Sequence, residues 1–395
     1  MKVLHFCHSF SPLSETFIYD LILQLDDVGI KNMICAKKRE NDIERPYSDV
    51  SIVAQNDSIN NFSKVYNKLK TLFVTDAGKI NWLKRERDAV RNNCSFQSVD
   101  VVHAHFGPQG CIIHPVVEEY NIPLVVSFHG FDAFVLPNDM FWVNQLRILF
   151  EKATVITVVS NMMKEHLVKI GCLPEKIHII HVGKKVENYD FSLPLDKKIR
   201  KFISVGRMVE KKGHFDVVQA FHLLLKNYPD LCLEIVGDGP MLYDIQRYIE
   251  ENDLSNNIHI LGAVSHKETV VYMKKSDAFI LCSKIASNGD REGIPTVIME
   301  AQALGLPCVV TNHSGIPEVV PLENKWLMAK EGDISSIART VDALISAPSS
   351  TIRETVVCAR RKVESDFNLR IEVNKLIAVY NKISKNSRAN EGYYF

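Results

Sequence analysis

The chain lacks a surplus of charge of either sign. Its 47 lysines and arginines offset 47 aspartates and glutamates, for a formal net charge of +0 over 395 residues. That removes the broad electrostatic pull toward nucleic acid or strongly acidic partners. Long apolar runs are missing too, so no segment is expected to span a membrane and any membrane contact must be peripheral. Met1 to Phe10 is too short and too histidine-rich for a signal peptide. The expected location is the cytoplasm, up to the inner face of the cytoplasmic membrane. The 9 cysteines are scattered singly, odd in number and without Cys-x-x-Cys. Reduced thiols are expected rather than a disulfide framework or a zinc site. Also absent are Asp-x-Asp, the Gly-x4-Gly-Lys phosphate loop, internal repeats and low-complexity tracts.

A chain of this length exceeds one average core and implies two domains. Lys2 to His8 reads as a strand. Ser11-Pro12 or Ser14 can cap a helix that runs to about Leu25. Lys31 to Ala36 is the next strand. Further strands are expected over Val99–Phe106, Leu124–His129, Ala153–Ser160 and Lys176–Val182, with helices between them. The polar, proline-containing stretch Lys184 to Lys198 reads as a linker. A second series of strands starts at Lys201–Gly206 and continues through Leu231–Val236, Ile258–Leu261, Ala278–Cys282 and Leu306–Thr311. Helices are expected over Ile334–Ala347, Ser350–Phe367 and Asn368–Lys385. Strand and helix in alternation mean parallel sheets with crossover helices, and such sheets bind ligands at the carboxyl ends of their strands.

Two stretches concentrate chemistry. In the first, Gly206-Arg207-Met208-Val209-Glu210-Lys211-Lys212-Gly213 joins a strand to a helix from His214. Glycines, cations and a helix start together make an anion site. The second runs from Gly289 to Glu318. There a helix should begin near Pro295 and end at the left-handed cap Gly305. Glu292 precedes that helix start, and Thr296 and Glu300 share one face of the helix. Glu300 lies about 6 Å along the axis from Thr296, at 1.5 Å rise per residue. That is the reach from a diphosphate at the helix tip to the ribose behind it. A carboxylate can accept both hydrogen bonds of a vicinal diol. Gly237, in the turn Gly237-Asp238-Gly239-Pro240, falls at the expected nucleotide edge.

Glu-x7-Glu, then Ala-x-Ala-x-Gly-x-Pro and Gly-Ile-Pro-Glu, resembles the donor-site signature of the family 4 retaining glycosyltransferases. The resemblance spans most of the chain and is strongest from Gly206 to Glu318. It implies an α/β chain with two Rossmann-like domains, the GT-B architecture, facing across an interdomain cleft. Residues 1–190 would bind acceptor and residues 199–367 the nucleotide-sugar donor. Residues 368–395 would be a helix crossing back, plus a tail. Arg207 and Lys212 match the family's diphosphate-binding pair. Glu300 would hold the ribose, backbone near Val264 the base, and Glu292, Gly293 and Ile294 the sugar hydroxyls. Gly206, Pro295 and Thr296 complete the donor side. His129, in His-Gly-Phe-Asp, matches the segment beside the transferred sugar, so His129, Glu292, Arg207 and Lys212 are the catalytic candidates. The family is usually described by attack on the same face, with the leaving phosphate as base.

Where most of the family has a Gly-Gly loop, this chain has Ser14-Glu15-Thr16. That variant resembles the colanic-acid and capsule branch and leaves Ser14, Glu15 and His105 as the acceptor-side candidates. The implied reaction moves a hexose from UDP- or GDP-sugar to a glycan or lipid-linked glycan, with no cofactor and no metal. His103-Ala104-His105 invites a metal, but no carboxylate or cysteine cluster completes a ligand set in sequence. Asn61 to Arg91 is basic with interleaved Phe73, Ile80, Trp82 and Leu83, a pattern that can lie on anionic lipid. Two other functions fit the same residues: a nucleotide-sugar-binding scaffold without catalysis, and a same-fold epimerase. A phosphorylase would need a pyridoxal lysine pocket, which the sequence does not reveal.

Overall fold

The computed structural model describes residues 1–12, 15–53, 75–194 and 198–391, with side chains described as far as residue 385. The chain divides into two compact units. One comprises Met1–Val158, Lys164–Ile180 and Val373–Phe395, the other Val159–Met163 and His181–Glu372.

The first unit is built on seven strands: β1 (Lys2–Phe10), β2 (Lys31–Arg39), β3 (Val50–Ile52), β4 (Val101–His105), β5 (Leu124–Phe128), β6 (Val155–Val158) and β7 (Ile177–Ile179). Their order is β3-β2-β1-β4-β5-β6-β7 and every pairing is parallel. Every residue of β4 and β5 is buried, as central strands covered on both faces require. The strand order reverses between β1 and β4, which opens a crevice at their carboxyl ends.

The second unit repeats the plan with β8 (Lys201–Val205), β9 (Cys232–Val236), β10 (Ile258–Gly262), β11 (Ala278–Leu281), β12 (Cys308–Thr311) and β13 (Met328–Ala329). The order is β10-β9-β8-β11-β12-β13, again parallel throughout. Successive residues face opposite sides. Phe202 packs with Phe221, Leu233 and Ile280 in one layer, while Ile203 packs with Phe279, Ile298 and Phe367 in the other. Here the order reverses between β8 and β11, where the two chemistry-rich stretches of sequence begin.

Several expectations need correction. Cys35 on β2 and Cys94 after the helix Asp76–Asn93 form a disulfide, with Cα atoms 6.5 Å apart, and seven cysteines stay free. Nothing in a separation of 59 residues signals that pairing; the fold alone brings the two together. The helix Thr16–Asp27 takes Glu15 as its N-cap, without a side-chain capping bond, so Ser11 does not cap it. Ser14 lies outside the described residues. The chain enters the second unit at His181, so the stretch read as a linker belongs to that unit, and its first residue, Lys184, is buried.

The basic stretch is described only from residue 75, and Phe73 with the rest of 61–74 lies outside the described residues. In the described part, Lys79 pairs with Asp76 and Asp139, and Arg91 with Asp88 and Glu119. Leu83 is buried, and Trp82 meets Trp142 edge-on at 6.4 Å. Much of the segment is therefore engaged with its own unit; Lys84 and Arg85 remain exposed. Among the described residues no helix is long and apolar enough to cross a membrane.

Candidate active site

The switch point of the second sheet gathers most donor-side candidates. β8 ends at Val205, just before Gly206, and the loop returns through a short turn at Glu210–Lys212 to Gly213, which starts the helix His214–Leu225. Gly213 has φ 67°, and a Cβ there would sit 1.9 Å from the Cys282 carbonyl oxygen. Any other residue would push the loop off the end of β11. Gly237 meets the same limit: its Cβ would lie 1.9 Å from the Gly206 carbonyl oxygen. His214 pins the loop from beneath. Its Nε2 lies 3.2 Å from the Gly206 oxygen and must donate to it, so Nδ1, 3.1 Å from Ser204 Oγ, accepts. Burial pushes His214 down to about 4, so it is neutral near pH 7.

Lys212 lies along Gly206 and places Nζ 3.2 Å from Glu292 Oε1. Lys211 reaches Asp290 at 3.0 Å and Glu292 at 4.0 Å. Arg207 is exposed and forms no ion pair among the described residues. Glu292 is 7 % exposed. Burial alone would raise its pKa, but Lys212 and Lys211 hold it below the ordinary range. Its backbone is fixed as well. The Glu292 N–H donates to His313 Nε2 at 3.3 Å, His313 Nδ1 lies 2.8 Å from Glu331, and Ser314 Oγ donates to the Glu292 carbonyl.

The helix Thr296–Leu304 follows, with Pro295 as N-cap and Gly305 at φ 90° as C-cap, close to the expected bounds. No side chain caps its N-terminus, so its first N–H groups keep their capacity for an anion. Gly293 and Ile294 are buried, and the Gly293 carbonyl accepts from Gly315 N–H at 3.2 Å. Glu300 sits one turn in, 5 % exposed, with Oε1 2.6 Å from Lys184 Nζ and Oε2 3.4 Å from His266 Nε2. Burial opposes its charge, yet Lys184 and His266 pull it down to about 2. Val264 is partly buried between β10 and the helix His266–Lys274, whose N-terminus is closed by a Ser265–Glu268 capping box.

Sequence reasoning missed five contributors here: Lys184, Lys211, His214, His266 and His313. Lys211 stood within the quoted loop. Lys184 stood in a stretch taken for linker, where nothing local marks a buried cation.

The switch point of the first sheet is different. His5 on β1 and His103 and His105 on β4 are all buried, with ring nitrogens of the three within 4.8 Å of one another. This is the set that could hold a metal among the described residues, and His5 was its unread member. All but one of their ring nitrogens, His105 Nδ1, are already engaged, however. His5 bonds His105 at 3.1 Å and Asn32 at 3.0 Å; His103 bonds Tyr380 and Ser127, each at 2.6 Å. Burial lowers His5 to about 4 and holds His103 and His105 well below the usual value.

His129 packs against Phe17, Phe106 and His105, at ring separations of 4.8, 4.7 and 6.0 Å. Burial lowers it to about 3. Among the described residues both its ring nitrogens are shielded and lack a hydrogen-bond partner, as do His105 Nδ1 and Ser11 Oγ. Asp132, fully buried, accepts from the N–H groups of Gly107, His129 and Gly130 at 2.9, 3.1 and 3.0 Å. It thereby sets the loop that carries His129. Glu15 stands at the start of the helix beside this crevice.

Comparison with known proteins follows this division. Residues 14–187 match the model of Glycosyltransferase Family 4, and residues 185–357 match that of Glycosyl transferases group 1. The putative colanic acid biosynthesis glycosyltransferase WcaL of Salmonella typhimurium is 30% identical over 273 residues, 68% of this chain and 67% of that protein. The amylovoran biosynthesis glycosyltransferase AmsK of Erwinia amylovora is 29% identical over 294 residues, 73% of this chain and 71% of its own length. Among solved structures, a glycosyltransferase from Rickettsia africae superposes with a TM-score of 0.73 at 18% identity, covering 98% of this chain and 99% of that one. Anabaena HepE in complex with UDP and glucose does so with 0.72 at 16% identity, covering 97% and 99%. The chain therefore belongs to the family 4 glycosyltransferases, in the branch of colanic-acid and amylovoran enzymes, and has the two-Rossmann-domain GT-B fold.

Proposed function

We propose that the protein is a retaining hexosyltransferase of surface-polysaccharide biosynthesis. It takes a hexose from a nucleotide diphosphate sugar and gives it to a glycan or lipid-linked glycan. One observation carries this reading: Lys211, Lys212 and Glu292, an uncapped helix start at Thr296, and Glu300 one turn further on, all following β8 and β11 of one sheet. A diphosphate needs fixed positive charge, a ribose needs a diol acceptor, and a hexose needs an acceptor for its hydroxyls. The site offers them in that order. HepE, bound to UDP and glucose, supports the donor class.

In the reaction, the acceptor oxygen bonds to the anomeric carbon as the bond from that carbon to the phosphate oxygen breaks. The acceptor proton passes to the leaving phosphate. Charge grows on the diphosphate, so Arg207, Lys212 and the helix N-terminus supply most of the rate by being in place beforehand. Their charge stands where other transferases use a divalent ion, so the enzyme works without one. Glu292 and the backbone at Gly293 and Ile294 hold sugar hydroxyls, with His129 contributing a neutral imidazole. The first unit binds acceptor through Glu15, Ser14 and the unpartnered groups around His105. WcaL and AmsK, named for colanic acid and amylovoran biosynthesis, support that acceptor class.

A thermal-shift panel of UDP, GDP, ADP and their sugars tests the donor, since a ligand that binds only the native state raises its stability. Nucleotide release that depends on added acceptor, and that survives a chelator, is the outcome this function requires. Release of an isomerised sugar instead would make it an epimerase, and binding without turnover would make it a scaffold.

A further inference from the structure

The ion pair between Lys184 and Glu300 is hard to explain as packing. Both residues are 5 % exposed. Two charges taken from water into an interior are rarely worth more than an apolar pair of the same volume. The lysine is also placed with unusual rigour. Its N–H donates to the Phe367 carbonyl at 2.8 Å, and its carbonyl accepts from Leu369 N–H at 2.9 Å. Gly183 lies so close to the Leu369 backbone that a Cβ would come within 2.5 Å of the Leu369 Cα. The backbone before and at residue 184 is thus strapped to the segment 367–369, and only the side chain is left to choose its partner.

That partner is one oxygen of Glu300. Lys184 Nζ takes Oε1 at 2.6 Å, which leaves Oε2 to His266. The His266 contact is loose: 3.4 Å, from a side chain 53% exposed, whose Nε2 is also 3.4 Å from Tyr189 OH. One carboxylate oxygen is locked and the other is held by a group that solvent can easily draw away. This is the form of a binding group held ready, with a replaceable occupant.

We propose that Lys184 is a positioning residue for the ribose subsite: it aims Glu300 at the vicinal diol and thereby sets a preference for ribonucleotides over 2′-deoxyribonucleotides. The inference rests on the assignment of Glu300 to the ribose. Ribose hydroxyls displace His266 from Oε2 and donate to a carboxylate that Lys184 keeps charged and oriented. Without the lysine, burial dominates, the carboxyl takes up a proton at a higher pH, and it loses one of the acceptors that read the diol. The other titratable group that contacts Glu300 is His266, which cannot replace a lysine fixed by its backbone.

The test compares UDP, GDP and ADP with their 2′-deoxy counterparts by calorimetric titration of the full chain, as wild type, Lys184→Met, Lys184→Arg and Glu300→Gln. The wild type should bind one ribonucleotide roughly 10- to 100-fold more tightly than its deoxy form, the scale of one charge-assisted hydrogen bond. Lys184→Met should bring that ratio within a factor of about three of unity at pH 6 and restore part of it at pH 8 as the carboxyl ionises; Lys184→Arg should retain most of it. The ratio is unaffected by a partly unfolded sample, so it separates positioning from stability. If Glu300→Gln loses the ratio and Lys184→Met keeps it at both pH values, the inference fails while the ribose assignment stands. If the wild type shows no ratio, or Glu300→Gln keeps it, the ribose assignment itself falls.

Discussion

The carboxyl ends of the two sheets share an architecture and differ in charge. At the switch point of the second sheet, formal charges stand in opposed pairs: half-buried Lys212 with buried Glu292, and buried Lys184 with buried Glu300. At the switch point of the first, most polar groups are imidazoles that burial keeps neutral, with both nitrogens of His129 and one of His105 unpartnered among the described residues. One surface, with its fixed cations and uncapped helix start, suits an anion. The other presents mostly neutral imidazoles and hydroxyls, which suits the hydroxyls of a carbohydrate. The comparison teaches that a Rossmann-like sheet supplies a place, while the residues that follow its strands supply the chemistry.

The most severe way to break the comparison is to remove charge from the second site. Arg207→Ala or Lys212→Ala should each lower turnover by about 100-fold or more in a steady-state assay, the scale for deleting a preorganised charge stabiliser. Near-normal rates in both variants would mean that the charged crevice is not where the diphosphate leaves.

Acid should strike the first unit harder. His5, His103, His105 and His129 resist protonation when folded and accept it at about 6.5 when unfolded. The unfolded chain then binds more protons below that pH, so stability is complete above about 6.5 and falls as pH drops toward the folded values. Each such histidine contributes a slope of about 1.4 kcal/mol per pH unit. In the second unit His214 behaves likewise, but His181 is raised: burial opposes its charge, and Glu318 and Glu372 outweigh burial. Hydrogen exchange at pH 5 and pH 7 should therefore show β1, β4 and β5 losing protection before β8 and β11. Loss in the reverse order would contradict the neutral-histidine description.

A milder effect should sharpen the contrast. His129→Gln keeps a neutral donor and acceptor but changes their geometry, and should lower turnover by roughly tenfold, within the range for one misplaced polar group. The pH–rate profile between 6 and 8 should keep its shape, because the native imidazole does not titrate there. A lost inflection near neutrality would show His129 acting as a charged acid. The smallest expected effect concerns Lys84 and Arg85. Their joint replacement by glutamate should reduce co-sedimentation with anionic vesicles at low salt by a few-fold. No retention of the wild type under those conditions would remove the membrane docking expected from the basic segment.

The architecture was legible because alternating apolar strands and capped helices are local patterns. Pro295 and Gly305 announced the short helix, and Glu292 and Glu300 were placed by counting from it. Groups that act across sequence could not be read that way. Lys184 meets Glu300 only because the chain at 367–369 straps residue 184 in place. His5 joins His103 and His105 because β1 and β4 are neighbours, a fact of topology rather than spacing. Cys35 and Cys94 met for the same reason. Charge counting also overstated the basic helix, since the carboxylates that pair with Lys79 and Arg91 include Asp139 and Glu119, which lie on other elements.

Tyr380 has a bearing on how the polypeptide is made. Its hydroxyl lies 2.6 Å from His103, inside a buried run that continues through Ser127 to Thr157. During synthesis, β1 to β7 leave the ribosome long before that tyrosine does, and His181–Glu372 of the second unit is translated in between. Until then the His103 nitrogen that faces Tyr380 lacks its native partner. The first unit, although made first, therefore reaches its full set of native contacts only after its carboxy-terminal segment from Val373 has been made.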